Sequence, residues 1–178
     1  MKRRQFLKKS IIGGSIIAVG GAYFWLKTGD GADHLTVKAA IQQLNSLKEK
    51  KITSSGQWNP AKVFNHLAQS IEYSMTGYPQ HKSDLFKNTL GSMAFSVFTS
   101  RGKMSHSLSE VIPGAPLIKD DEDILLALKR LKQSLIDFDN YKGTLQPHFA
   151  YGKLSKQKYS YAHIMHINNH FQELRFNA

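Results

Sequence analysis

The sequence predicts an all-α fold, a four-helix bundle that follows an N-terminal signal or anchor helix. Apolar residues recur at helical spacing in several segments, and the ends of these segments carry residues that typically begin or stop helices. No segment shows the alternation of apolar and polar residues that indicates a half-buried strand. The chain has 178 residues, 41% of them hydrophobic. About 150 residues remain after the N-terminal segment, which suffices for one domain with a core.

Residues 1–28 have the layout of a secretory signal, with a basic start and a 16-residue uncharged run at 11–26. Arg3 and Arg4 with the residues after them resemble a twin-arginine export signal, so we expect the twin-arginine machinery as a partner. The run is shorter than the ~20 residues that span a bilayer. If it is not cleaved, it would still hold the protein in the membrane. We therefore expect a periplasmic protein, or a membrane-anchored one that faces outside the cytoplasm.

A polar linker at 29–35 precedes the bundle domain, residues 36–178. The first helix is predicted from Thr36 to about Lys50. The second begins with Asn59 as N-cap and Pro60 as first helical residue, and it runs to about Met75. These two helices would pack their apolar faces against the later ones.

The second half of the domain contains three more helical segments. A periodic segment covers 84–99, and a loop covers 102–116. Acidic residues at 120–123 suit the N-terminus of a helix that runs to about Asn140, because they complement the helix dipole. The last helix begins with Ser155 or Ser160 as N-cap and runs to about Leu174.

The net charge of +11 comes largely from the N-terminal segment, where six basic residues meet no acid. The remaining +5 is scattered without a basic stripe interleaved with aromatic residues, so we expect no nucleic-acid partner. The chain has no cysteine. That composition excludes disulfides, thiolate metal ligands and a cysteine nucleophile.

Three histidines in the last helix, His163, His166 and His170, are spaced to share one helix face. Neutral imidazole is a common metal ligand. The ring tips of three residues on one straight helix splay apart, so a ligand from a facing helix gives better geometry. His66 is the best donor, since it borders the apolar stripe of the second helix. We therefore predict a divalent-metal site formed by His66, His166 and His170.

Other polar residues belong to the predicted surroundings of this site. His163 would support the ligands, with a ligand role as the alternative. Tyr73, Glu173 and His148 could face the site or its pocket, and His106 could line the pocket mouth from its loop. His34 and His81 are predicted to be surface residues. The spacing identifies no separate catalytic nucleophile and base, so the metal would carry the chemistry.

The sequence resembles the DinB/YfiT-like superfamily in two places: Trp58-Asn59-Pro60 leading to His66-Leu67, and the pair His166 and His170 on a late helix. The loops 112–116 and 148–152 resemble those of an uncharacterised branch of that superfamily. The resemblance covers about residues 35–175. It implies a four-helix bundle that holds a divalent ion, Zn, Ni, Mn or Fe, on His66, His166 and His170.

The resemblance further implies a metal-dependent enzyme that acts on a small molecule, either a hydrolase or a thiol-dependent transferase. The stretch that follows the last histidine, Phe171–Leu174, departs from the pattern of the thiol-dependent members. An alternative is a non-enzymatic metal- or small-molecule-binding bundle tethered to the membrane. A third interpretation keeps the histidines only as buried polar residues. A homodimer stays open as an alternative to a monomer.

Overall fold

A computed structural model describes residues 32, 35–120 and 123–177, and within them the fold is mostly helical with one small sheet. The elements in chain order are α1 (Val37–Asn45), β1 (Lys51–Ser54), α2 (Pro60–Thr76), α3 (Asp84–Phe86), a π-helical turn (Lys87–Gly91), α4 (Ser92–Arg101), α5 (Ile124–Asn140), α6 (Lys156–His170), a 3-10 turn (Phe171–Glu173) and β2 (Leu174–Asn177). None of the helices described here is both long and apolar enough to cross a bilayer. The predicted signal or anchor helix lies outside the described residues.

The starts of the long helices follow the capping signals in the sequence. The Asn59 side chain accepts a hydrogen bond from the backbone N–H of Lys62 at 2.9 Å, and Pro60 occupies the first turn of α2. Asp123 caps α5 and Ser155 caps α6 in the same way. Ser155 rather than Ser160 is therefore the N-cap. The neighbouring acids at 121 and 122 lie outside the described residues.

The prediction that the domain contains no strand was wrong. β1 and β2 form an antiparallel pair in which Lys51 lies opposite Asn177 and Ser54 opposite Leu174. Each strand has four residues, which is too short for a clear alternation. The pairing also shortens the predicted helices, since α1 ends at Asn45 and α6 ends at His170. The fold is thus mostly helical rather than all-α.

The periodic segment at 84–99 is helical but interrupted by the π-helical turn. Gly91 ends this turn and is buried against the loop 148–152. A Cβ at Gly91 would overlap the carbonyl oxygen of Ala150, so glycine is required for this close approach. This contact brings one end of α4 against the loop that carries His148.

Helix α2 lies between α5 and α6 and forms its largest interface with α5. All residues from Val63 to Ile71 are buried. The core includes the following fully buried side chains from four helices: Leu44, Phe64, Leu67, Ile71, Leu131, Leu135, Phe138, Tyr159, Met165 and Ile167. At the edge of the α2–α5 interface, the Arg130 guanidinium donates to both carboxylate oxygens of Glu72. Packing on both sides of α2 fixes the position of His66 relative to α6.

Candidate metal centre

Helices α2 and α6 bring His66, His166 and His170 together, as the sequence predicts. The Nε2 atom of His166 lies 3.2 Å from Nε2 of His66 and 3.1 Å from Nε2 of His170. One ring nitrogen from each residue lies within 4.8 Å of the other two. His66 comes from the buried part of α2, and the other two come from consecutive turns of α6. The three side chains lie close enough to bind one metal ion.

The three imidazoles are neutral at physiological pH. Burial lowers the pKa of His66 to about 4, and the nearby His106 contributes to the shift. Burial, with smaller contributions from His66 and His106, lowers the pKa of His170 to about 2. The pKa of His166 lies well below its ordinary value for the same main reason, burial. A metal ion would therefore meet lone pairs without competition from protons.

The spacing of the three nitrogens fits a metal better than a hydrogen-bonded cluster. Nitrogen ligands about 2.05 Å from a tetrahedral zinc lie about 3.3 Å from one another. A single lone pair on Nε2 of His166 accepts one good hydrogen bond, so it cannot satisfy both neighbours. The Nδ1 atoms of His66 and His170 are buried without a hydrogen-bond partner among the described residues. No hydrogen bond at Nδ1 therefore holds either ring in an arrangement other than one that binds a metal through Nε2.

Trp58 packs against the side of the cluster and is itself buried. Its ring stacks on His170 with centroids 6.0 Å apart and an interplanar angle of 9°. Its edge also meets the ring of His66 at a centroid distance of 5.0 Å. Because no described residue holds Nδ1 of either histidine by a hydrogen bond, this aromatic packing orients the two rings. From the sequence, Trp58 was recognised only as part of the motif Trp58-Asn59-Pro60, and no role at the site was predicted for it.

A cavity of about 280 Å³ opens beside the cluster and is lined by His66 and His166. Most of its wall is apolar, and this apolar part comes from α3, α4, the loop 102–116 and the loop 148–152. The residues that contribute apolar side chains include Phe86, Ala94, Phe98, Met104, Val111, Ile112, Phe149 and Tyr151. Small-molecule sites combine such walls with a few polar groups. A metal on the three histidines would thus face a pocket suited to a small organic molecule.

His106, on the loop 102–116, is a fourth histidine at this site. Its ring centroid lies 4.9 Å from that of His166 and 5.3 Å from that of His170. Its Nδ1 atom lies 2.8 Å from the carbonyl oxygen of Ser107, to which it donates because a carbonyl only accepts. The sequence placed His106 only at the pocket mouth. No periodic signal relates a loop residue to a helix face, so its proximity to α6 could not be predicted.

His163 and His148 line the same cavity. The Nε2 atom of His163 lies 3.2 Å from Oγ of Ser74, whose hydroxyl donates to the Ile71 carbonyl, so His163 is the donor. Burial lowers the pKa of His163 to about 3. His163 lies outside the group of three converging nitrogens. It is hydrogen-bonded to α2 instead.

Tyr73 and Glu173, which were predicted to face the site or its pocket, lie outside the cavity lining. Tyr73 is half-buried and packs on Tyr78 with centroids 5.7 Å apart. Glu173 lies in the 3-10 turn, where its carboxylate is next to Gly56 and its carbonyl accepts from Ser55. Neither residue is among those that line the cavity. His81 is exposed, and His34 lies outside the described residues.

The fold and the site together define a mostly helical protein with a buried histidine cluster beside an apolar pocket. The chain belongs to DUF1569, a family described as a protein of unknown function, whose profile matches residues 33–177. No curated protein and no solved structure matches the chain. The matched span contains all the histidines of the candidate metal centre.

Proposed function

We propose that the chain is a metal-dependent enzyme that holds one divalent ion on His66, His166 and His170. In this proposal, α1, α2, α5 and α6 form a four-helix bundle of the DinB-like type. The observation that carries the proposal is the convergence of three Nε2 atoms of neutral histidines beside a cavity. Nε2 of His166 on α6 lies 3.2 Å from Nε2 of His66 on α2 and 3.1 Å from Nε2 of His170 on α6. Contacts of α5 with α1 and α2, and of α6 with α1 and α2, support the bundle.

The chemistry is either hydrolysis or thiol transfer to an electrophile. A divalent ion with an open position can lower the pKa of a bound water or thiol and so supply the nucleophile. His66 and the two α6 histidines would provide three neutral ligands, which is typical of catalytic rather than structural sites. The apolar wall formed by Phe98, Met104 and their neighbours would exclude bulk water from the substrate.

Metal analysis of the untagged protein, purified without chelators, tests the site. We expect close to one equivalent of Zn, Ni, Mn or Fe, which His66→Ala and His170→Ala each abolish. His81→Ala, at an exposed histidine, is the matched control and should keep the metal. A wild-type protein that contains no metal and gains no thermal stability with Zn, Ni or Mn would contradict the proposal.

Turnover of model esters, amides and electrophiles, each with and without a low-molecular-weight thiol, tests the catalytic part. Metal-dependent hydrolysis without thiol would identify a hydrolase, and strict thiol dependence would identify a transferase. If the metal-loaded protein turns over none of them, the alternative of a non-enzymatic binding module is favoured.

We also propose that the chain is exported through the twin-arginine route, on the basis of Arg3, Arg4 and the uncharged run at 11–26. Cell fractionation of a reporter fusion tests this idea. Replacement of both arginines by lysine should retain the fusion in the cytoplasm, because this route depends on the arginine pair. Unchanged export of the double variant would exclude the route.

A further inference from the structure

His148 presents an unusual donor to the cavity. Its Nδ1 atom accepts hydrogen bonds from the backbone N–H groups of Ala150, at 3.1 Å, and Tyr151, at 3.3 Å. The two N–H groups share the single lone pair of Nδ1, so this nitrogen carries no proton and the one proton of the neutral ring is on Nε2. The loop 148–152 therefore fixes the tautomer of His148. Backbone hydrogen bonds between His148 and Gly152 close the same loop.

Both ring hydrogen bonds of His148 in the described part of the chain are on Nδ1, while the side chain is only 7% exposed and lines the cavity. Aromatic rings surround it. The imidazole stacks on Tyr151 with centroids 4.3 Å apart and an interplanar angle of 8°. Phe149 and Tyr78 follow at centroid distances of 4.6 and 5.1 Å. Nε2 of His148 is not among the fully buried polar atoms that lack a partner in the described part of the chain, so a ligand in the cavity can reach its N–H and accept a hydrogen bond from it.

The electrostatics of this subsite favour an uncharged acceptor. Burial holds the pKa of His148 well below its ordinary value, so the ring offers a neutral N–H rather than a cation. Lys82 also lines the cavity, but it is an exposed residue. A carboxylate bound at His148 would lie among aromatic rings and meet a neutral N–H there rather than a cation. A carbonyl oxygen needs only the one donor that His148 supplies.

We propose that His148 recognises the substrate of this site, and that this substrate is a small aromatic or apolar molecule with a carbonyl oxygen bound to His148 Nε2–H. This inference rests on the proposed function, because the same cavity adjoins His66 and His166. The cavity of about 280 Å³ lies just below the range of about 300–1,000 Å³ typical of drug-sized ligands. The molecule would therefore be compact, such as an aryl ketone, ester or amide.

Acetophenone and isopropylbenzene are suitable probes, because they have the same number of heavy atoms and differ in the carbonyl oxygen. We expect the full-length protein to bind acetophenone about five- to tenfold more tightly, the effect of one buried hydrogen bond. Titrations followed by NMR give both dissociation constants. The experiment is run with and without chelator, so that loss of the metal and failure of this subsite are distinguishable.

His148→Asn is the informative variant, because the asparagine oxygen can replace Nδ1 as acceptor for the loop while the distal donor is lost. We expect it to weaken acetophenone binding about five- to tenfold and to leave isopropylbenzene binding unchanged. His81→Asn makes the same change at an exposed histidine and should alter neither. In the wild-type protein, acetophenone should also shift the His148 Nε2–H resonance, a test that needs no mutation.

Three results would overturn the inference. One is equal affinity of the wild-type protein for both probes, and another is an equal loss of both in His148→Asn, which would indicate a structural role. The third is a protein that binds neither probe at millimolar concentration while it retains its metal. In that last case the proposed metal site would stand and only the substrate class would fail.

Discussion

At the scale of single residues, aromatic packing orients the histidines of the candidate metal site. Metal-bound histidines commonly donate the second ring nitrogen to a carboxylate or carbonyl. Nδ1 of His66 and of His170 has no such partner in the described part of the chain. Trp58, which contacts both rings, provides the constraint instead. The orientation of these two histidine rings thus depends on packing rather than on a hydrogen bond to Nδ1.

Trp58→Leu should lower metal affinity about tenfold, at the lower end of the usual effect of losing an orienting partner. The two rings would gain rotational freedom while all three nitrogens remain. Competition with a metal indicator measures the change. Phe138→Leu truncates a buried aromatic ring that contacts His163 and not the three ligands, so it should destabilise the fold without changing metal affinity. Equal affinity losses in both variants would argue against an orienting role for Trp58.

His106→Ala should retain one equivalent of metal, unlike His166→Ala, which should lose it. His106 adjoins the cluster, but it is not part of the group whose nitrogens lie within 4.8 Å of one another. Its Nδ1 is also committed to Ser107. Metal content after dialysis against buffer distinguishes the two variants. Complete metal loss in His106→Ala would show instead that His106 is an essential fourth ligand.

At the scale of secondary structure, local signals were sufficient for the long helices and insufficient for the strands. Asn59, Asp123 and Ser155 each cap a helix through a hydrogen bond three residues along the chain, so sequence reveals them. The pairing of Ile52 with Phe176 joins segments far apart in sequence and has no local signature. His66 and the pair on α6 were predictable from helix periodicity, but the proximity of the loop residue His106 was not.

The π-helical turn and the loop 148–152 meet at Gly91, so a side chain there should be costly. Gly91→Ala should lower the free energy of unfolding by about 1–3 kcal/mol, because the added Cβ overlaps the Ala150 carbonyl. Urea denaturation measures the change. Asn88→Ala, at an exposed position of the same turn, should change stability by less than about 0.5 kcal/mol. Similar losses in both variants would contradict the importance of this close approach.

At the scale of the whole molecule, buried neutral histidines make stability depend on pH. The pKa of His163 falls from an ordinary 6.5 to about 3 on folding, because burial disfavours the cation. Between these values the unfolded chain binds more protons than the folded chain, so stability decreases as the pH falls below about 6.5. His148 acts in the same direction. Each such group contributes at most about 1.4 kcal/mol per pH unit.

Urea denaturation of the metal-free protein at about pH 7.5, 6 and 5 should therefore show progressively lower stability. His163→Phe keeps an aromatic ring against Phe138 and Tyr159. Between about pH 6 and 5, its free energy of unfolding should depend less steeply on pH than that of the wild type, by the equivalent of about one bound proton. His81→Phe is the control at an exposed position. An unchanged slope in His163→Phe would indicate that His163 is not a source of the pH dependence.

The distance along the chain between His66 and His166 is 100 residues. In a protein without cysteine, a shared ion on these residues would act as a removable cross-link. Closure of so long a loop restricts the unfolded ensemble, an entropic effect of about 5 kcal/mol by the loop-length relation that applies to disulfides. In the unfolded chain, only His166 and His170 remain close to each other, because they are four residues apart in sequence. Removal of the ion by a chelator would thus break the cross-link between His66 and His166 as well as remove a cofactor. The chain would then become an easier substrate for proteases.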